Sequence, residues 1–285
     1  MAKETQVTLD DALELARKHH QRGNLILADR TYRDILASVP DHYPSVHYLG
    51  VVLYQRGNLP EALQYLEKAV NIAPDDSRCW NNYGIMLTES GFREKALEAW
   101  DKAIALDPKY AEPFSNKANT LWIMKKYEEA EASSKKALDL DPNYTDAMLN
   151  IGNALASQKK FEEAIAWWEK AIAVRPDFAK AWNNWGNALR DIGKVKESEE
   201  KCRKAVELNP NNAEAWNSIA NARRDQGKPE EAAELYRKAI DIRPSYAQAH
   251  NNLAITLIDQ TEYEDALRSA RYAVSFKPDY AEAYG

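Results

Sequence analysis

Eight prolines set the architecture of this 285-residue chain. Pro40, Pro74, Pro108, Pro142, Pro176, Pro210, Pro244 and Pro278 follow one another at intervals of 34 residues, with no insertion or deletion in the series. A fixed period of this length identifies a repeat array, and it has to be recognised before any local reading is made. With each proline at position 32 of a unit, the units run 9–42, 43–76, 77–110, 111–144, 145–178, 179–212, 213–246 and 247–280. Residues 1–8 then form a flexible amino-terminal lead, and 281–285 read as positions 1 to 5 of a truncated ninth unit.

The remaining columns fall into register. Position 8 is always Ala or Gly, from Ala16 and Gly50 through to Ala254. Position 20 is Ala except at Ser198, and position 27 is Ala except at Ile35. Bulky residues lie between these small ones: Trp80, Phe114, Met148, Trp182 and Trp216 at position 4, and Tyr32, Trp100, Trp168 and Tyr236 at position 24. Large beside small in a 34-residue frame predicts two helices per unit that approach closely. Gly23, Gly57, Gly91, Gly193 and Gly227 at position 15 suit a left-handed residue that ends the first helix. The proline ends the second helix, because it restricts the residue before it and cannot continue the hydrogen-bond ladder. The expected fold is all-α, a solenoid of eight helical hairpins.

Trp80-Asn81-Asn82-Tyr83-Gly84, then Leu87, Ala96, Trp100 and Pro108, resemble the tetratricopeptide repeat motif, and the resemblance extends over 9–280. It implies hairpins stacked into a right-handed superhelix, with the first helices lining a concave groove. The two ends depart from the pattern. Unit one has Ala12 at position 4 and His19 at position 11, which reads as a solvated cap. Thr8 and Asp11 are placed for a capping arrangement at the first helix. At the other end no polar capping helix is visible, so the chain reads as an amino-terminal fragment of a longer protein, or as one that self-associates through an uncapped end into a homo-oligomer.

On the first helices, positions 2, 5, 6, 9, 12 and 13 share one face. Position 6 carries Asn82, Asn116, Asn150, Asn184 and Asn252, with Ser218 between the last two; position 9 carries Asn119, Asn153, Asn187 and Asn221. Position 5 adds Asn81, Asn183, Asn217 and Asn251. Asparagine is a mediocre helix former, so these columns need a cause other than propensity. One cause is a ladder of carboxamides, each able to donate and accept, reading the backbone of a protein or peptide held in extended conformation. The other is that the asparagines solubilise the face or bond to the neighbouring helix within the stack. The ladder resembles the groove of O-linked N-acetylglucosamine transferases, whose repeats carry Asn at position 6. That resemblance implies, as an alternative function, a substrate-recruiting region followed by a glycosyltransferase domain.

Arg190 and Arg224 at position 12, with Arg78 and Lys180 at position 2, are candidates to meet acidic groups, although Asp191, Asp225 and Asp259 at position 13 are placed to neutralise them. Trp122, also at position 12, is the tryptophan of the groove face. A clamp for chaperone tails fits poorly: Asn119, Asn150 and Lys180 match it, but Ser115 and Asn184 stand where it needs basic residues.

Catalysis finds no support in the chain, which has no Gly-rich phosphate loop, nucleophile elbow or paired metal motif. No cofactor and no metal are expected: His19 and His20 are adjacent, so their rings diverge on a helix. A net charge of -6 supplies no positive field for nucleic acid or anionic lipid. No run of about 18 apolar residues suggests a membrane span. Two isolated cysteines, Cys79 and Cys202, fit neither a disulfide framework nor a zinc site and suit a reducing cytoplasmic setting. The functional expectation is a scaffold that binds other polypeptides.

Overall fold

The computed structural model describes residues 8–278; the lead at 1–7 and the expected ninth-unit start at 281–285 lie outside the described residues. The chain divides into two compact units, up to Pro142 and from Asn143 onward. The first holds α1 (Leu9–Gln21), α2 (Leu25–Ser38), α3 (Tyr43–Gln55), α4 (Leu59–Ile72), α5 (Ser77–Glu89), α6 (Arg93–Leu106), α7 (Ala111–Ile123) and α8 (Tyr127–Leu140). The second holds α9 (Thr145–Ser157), α10 (Phe161–Val174), α11 (Ala179–Asp191), α12 (Val195–Leu208), α13 (Ala213–Asp225), α14 (Pro229–Ile242), α15 (Ala247–Asp259) and α16 (Tyr263–Phe276). Among the described residues there are no strands, and the fold is the expected all-α helical repeat.

Every hairpin turns the same way. The first helix closes with the paired bonds of a Schellman motif, as in Gly57 N–H to the Tyr54 carbonyl at 2.8 Å and Asn58 N–H to the Leu53 carbonyl at 2.9 Å, which occupy carbonyls the helix end leaves open. The motif needs a positive φ at position 15, and the five glycines supply it. Lys125, Lys159 and Thr261 occupy the same position with φ of 62°, 61° and 63°. A side chain there costs roughly 1–2 kcal/mol, and a β-branched one most. We therefore expect Thr261→Gly to stabilise the carboxy-terminal hairpin by about 1 kcal/mol, seen as a higher urea midpoint; no gain would mean that Thr261 makes a compensating contact.

Small residues at position 8 let the two helices meet. A Cβ built on Gly84 would lie 2.6 Å from the Trp100 ring, and one on Gly152 would lie 2.3 Å from Trp168 Nε1. Gly50 faces Leu66 and Gly186 faces Cys202 in the same relation. Trp100 and Trp168 are buried, as are the alanines at positions 20 and 27. Position 4 sits at the margin of the expected core column: Met148 is buried, and the tryptophans pack against buried clusters from its edge. Trp80, Trp182 and Trp216 remain partly exposed, because each indole N–H donates to the carbonyl of the preceding closing proline: Trp80 to Pro74 at 2.8 Å, Trp182 to Pro176 at 2.9 Å and Trp216 to Pro210 at 2.8 Å. Lys102 lies 4.2 Å above the Trp80 ring and Lys238 3.5 Å above Trp216, covering the outer face of each ring. These tryptophans join one hairpin to the next.

The first helix opens with a capping box: Thr8 Oγ1 accepts from Asp11 N–H at 3.1 Å, and the Asp11 carboxylate accepts from Thr8 N–H at 3.4 Å. Within each unit, second helices pack on the following first helix, and consecutive first helices also touch. First helices therefore stand side by side within each unit, and position 6 lies on the face through which they bond to one another.

Candidate functional site: the asparagine-lined inner faces

In the first unit the position-6 carboxamides are tied to the preceding hairpin. Asn116 donates from Nδ2 to Asn81 Oδ1 at 3.0 Å. Asn81, fully buried, donates in turn to Glu112 Oε1 at 3.0 Å, and Tyr110 Oη donates to Glu112 Oε2 at 2.8 Å. Asn82 Nδ2 lies 2.9 Å from His47 Nε2. Burial holds the His47 imidazole below its usual pKa, against the opposing charge of Asp76, so the neutral ring accepts from Asn82. Asp76 caps α5 through the N–H groups of Arg78 and Cys79 and accepts from Tyr43 Oη at 2.5 Å.

The second unit repeats the device in two registers. Asn252 Nδ2 donates to Asn217 Oδ1 at 3.0 Å and to Asn221 Oδ1 at 3.2 Å, while Asn184 Nδ2 donates to Asn153 Oδ1 at 2.8 Å. Asn221 is buried and also accepts from Tyr236 Oη at 2.6 Å. It belongs to the interior of the stack more than to its inner surface. Asn150, on α9, is buried at 8% exposure. Asn119 is exposed and Asn187 partly exposed; among the described residues neither makes a side-chain hydrogen bond.

Of the expected alternatives, the one the structure displays is bonding to the neighbouring helix within the stack. Asn82, Asn116, Asn184 and Asn252 bond within the stack through Nδ2, Asn252 to two acceptors, and among the described residues their Oδ1 atoms take no hydrogen bond from the protein. Sequence reasoning missed the acceptors of these bonds, although the signal was present: Asn81 and Asn116, and Asn217 and Asn252, stand 35 residues apart.

The position-12 residues diverge. Trp122 is partly buried on α7. Arg190 Nε donates to Asp225 Oδ2 at 2.5 Å, so its charge is neutralised by the following hairpin. Arg224 is partly buried and pairs with no carboxylate among the described residues, and its Nη1 is buried without a hydrogen-bond partner. Lys180 is exposed. Among the described residues no group of three or more His, Cys, Asp or Glu side chains is placed to hold a metal ion, and no helix is long and apolar enough to cross a membrane. Cys79 and Cys202 are free thiols, buried, each pushed up to about 12 by loss of solvent.

Family models for the tetratricopeptide repeat match residues 45–76, 111–144, 183–247 and 217–281, and a further TPR repeat model matches 152–193. Together the matches cover more than half of the chain. The chain belongs to the tetratricopeptide repeat family. Solved structures agree at the level of fold. A tetratricopeptide repeat protein from Parabacteroides merdae superposes with a TM-score of 0.75 at 18% identity, covering 87% of this chain and 98% of its own. A chain of the APC/C hetero-tetramer Cut9–Hcn1 gives 0.74 at 15% identity; the match covers 99% of this chain but 56% of the other. PilF of Pseudomonas aeruginosa gives 0.60 at 19%, covering 73% and 95%. No curated protein matches. The tetratricopeptide repeat assignment accounts for the period, the hairpins and the large-on-small core.

Proposed function

We propose that this tetratricopeptide repeat chain binds polypeptides in extended conformation along its asparagine-lined inner faces, as a scaffold without a catalytic step of its own. The observation that carries the reading is the fixed orientation of the position-6 carboxamides. One N–H of Asn116 is held by Asn81 and one of Asn184 by Asn153, which locks each amide plane and leaves its oxygen to accept a peptide N–H. An amide already ordered loses little rotamer freedom when a ligand arrives, so more of each hydrogen bond contributes to affinity. Neighbouring packed helices lie roughly 8–10 Å apart and an extended chain rises about 3.3 Å per residue. One rung would therefore meet about every third residue of the ligand, and recognition would rest on backbone groups more than on sequence.

Asn119 and Asn187 allow a test that leaves the stack intact, because neither holds another hairpin. Fluorescence anisotropy with a pool of labelled unstructured peptides should show Asn119→Ala and Asn187→Ala each weakening binding by about 2- to 10-fold, the equivalent of one hydrogen bond. The triple substitution Asn116→Ala, Asn150→Ala and Asn184→Ala should abolish it. Unaltered binding by all of these variants, or none by the parent protein, would sink the reading.

The same asparagine column favours a second reading, recruitment of substrates for an O-linked N-acetylglucosamine transferase. That reading stands or falls with a glycosyltransferase domain in the same polypeptide, which the gene sequence reveals directly.

A further inference from the structure

Arg190 and Arg224 occupy equivalent places on α11 and α13, and each has an aspartate 35 residues further on, at position 13 of the next first helix. The first pair closes: Asp225 takes Arg190 at 2.5 Å. The second does not, since Asp259 is exposed and makes no ion pair with Arg224. Arg224 is therefore a partly buried cation that makes no ion pair among the described residues, with Nη1 withdrawn from water without an acceptor. It lies one turn beyond Asn221 and close enough to Tyr236 that its charge acts on the buried phenol, whose pKa burial pushes up to about 12. A desolvated, unpaired charge is costly, and an anion reaching the exposed edge of this guanidinium would relieve that cost.

We propose that Arg224 is the anchor for one carboxylate of a bound peptide. The proposal rests on the peptide-binding reading above and adds a ligand chemistry to it. A planar guanidinium matches a carboxylate in a two-point contact. A doubly charged phosphate group suits the place less well, because Asp191, Asp225 and Asp259 occupy position 13 on the same stretch of helices and would repel the second charge. The carboxylate comes from an Asp or Glu side chain or from a chain terminus, and three labelled peptides of one unstructured neutral sequence separate these sources: amidated, amidated with one internal Glu, and with a free carboxy terminus.

In anisotropy titrations at low salt, the parent protein should bind at least one of the two carboxylate peptides about tenfold or more tightly than the neutral amidated peptide, as expected for a hydrogen bond to a charged group. The peptide that gains identifies the source. Arg224→Gln should remove the gain, so that the carboxylate and neutral peptides bind it alike, and Arg224→Lys should retain part of it. Asp225→Asn, which releases Arg190, should increase it. Equal binding of neutral and carboxylate peptides by the parent protein, or a preference that survives Arg224→Gln, overturns the proposal while peptide binding itself stands. Failure of all three peptides to bind overturns both. Equal helicity and urea midpoints for parent and variants exclude a folding effect.

Discussion

Replacing Trp168 by Ala should cost about 3–5 kcal/mol of stability, the usual consequence of emptying a large aromatic site. The ring is 2% exposed, is shaped around Gly152 in the facing helix, and directs its indole N–H at the Leu149 carbonyl, 3.4 Å away. The reciprocal change tests whether that fit is specific. Gly152→Ala places a methyl 2.3 Å from Trp168 Nε1, so the ring must shift, at a cost of roughly 1–3 kcal/mol. Elsewhere the fold solves the same problem with Ala220 and Tyr236, both fully buried. Gly152→Ala combined with Trp168→Tyr should therefore be less damaging than the sum of the single changes. Urea unfolding followed by circular dichroism on the parent and the variants decides it; strict additivity would show that ring and glycine do not sense each other.

The second large effect is expected at Glu199, on α12. Its side chain, 11% exposed, takes Arg223 at 2.6 Å, Arg203 at 2.7 Å and Gln226 at 2.8 Å, and so joins α12 to the following hairpin. Burial alone would raise its pKa, but hydrogen bonds from Gln226 and Arg203, with the charges of Arg203 and Arg223, hold it below the usual carboxylate value. Glu199→Ala leaves the enclosed Arg223 with only the more exposed Glu231, 3.2 Å away, and should cost about 2–4 kcal/mol. Arg203, with its side chain 47% exposed, recovers part of its loss by hydration. The pH dependence has a definite sign. A carboxyl whose folded pKa lies below its unfolded value contributes in full above the unfolded value, about 4.3, and that contribution is lost as pH falls through the folded value. The parent should lose more stability than Glu199→Gln between about pH 5 and 3; parallel acid profiles would remove Glu199 from the account of acid sensitivity.

The fold was legible because its main determinant is periodic. Position 8 against position 24 is a contact between residues 16 apart, repeated often enough that small and large columns reveal each other. Legibility failed where one structural position tolerates several residues. Glycine at position 15 announced a left-handed turn in five hairpins, whereas Lys125, Lys159 and Thr261 adopt that conformation without a sequence signal, since hairpin packing outweighs a local cost of about 1–2 kcal/mol. It failed again at Trp80, Trp182 and Trp216, because composition cannot show that an indole N–H will find a proline carbonyl and stay at the edge of the core. On the inner faces the residues were readable and their partners were not. Asparagine bonds to groups 31 or 35 residues away, and only the stacked hairpins show which. The contrast between Arg190 and Arg224 is of the same kind: two identical residues in identical columns, separated by whether the next aspartate reaches back.

The ties between hairpins described here, Trp216 to Pro210, Asn116 to Asn81, Asn252 to Asn217 and Glu199 to Arg223, all run between residues fewer than 36 positions apart. Cohesion therefore travels along each unit like tension along a zip, tooth to tooth, with no strand stitching one end to the other. A chain joined in this way can begin to order at any hairpin, and its short-range contacts favour rapid folding. It also confines injury: a weakened joint such as Glu199→Ala should raise amide exchange in the hairpins on either side of it and leave more distant ones protected.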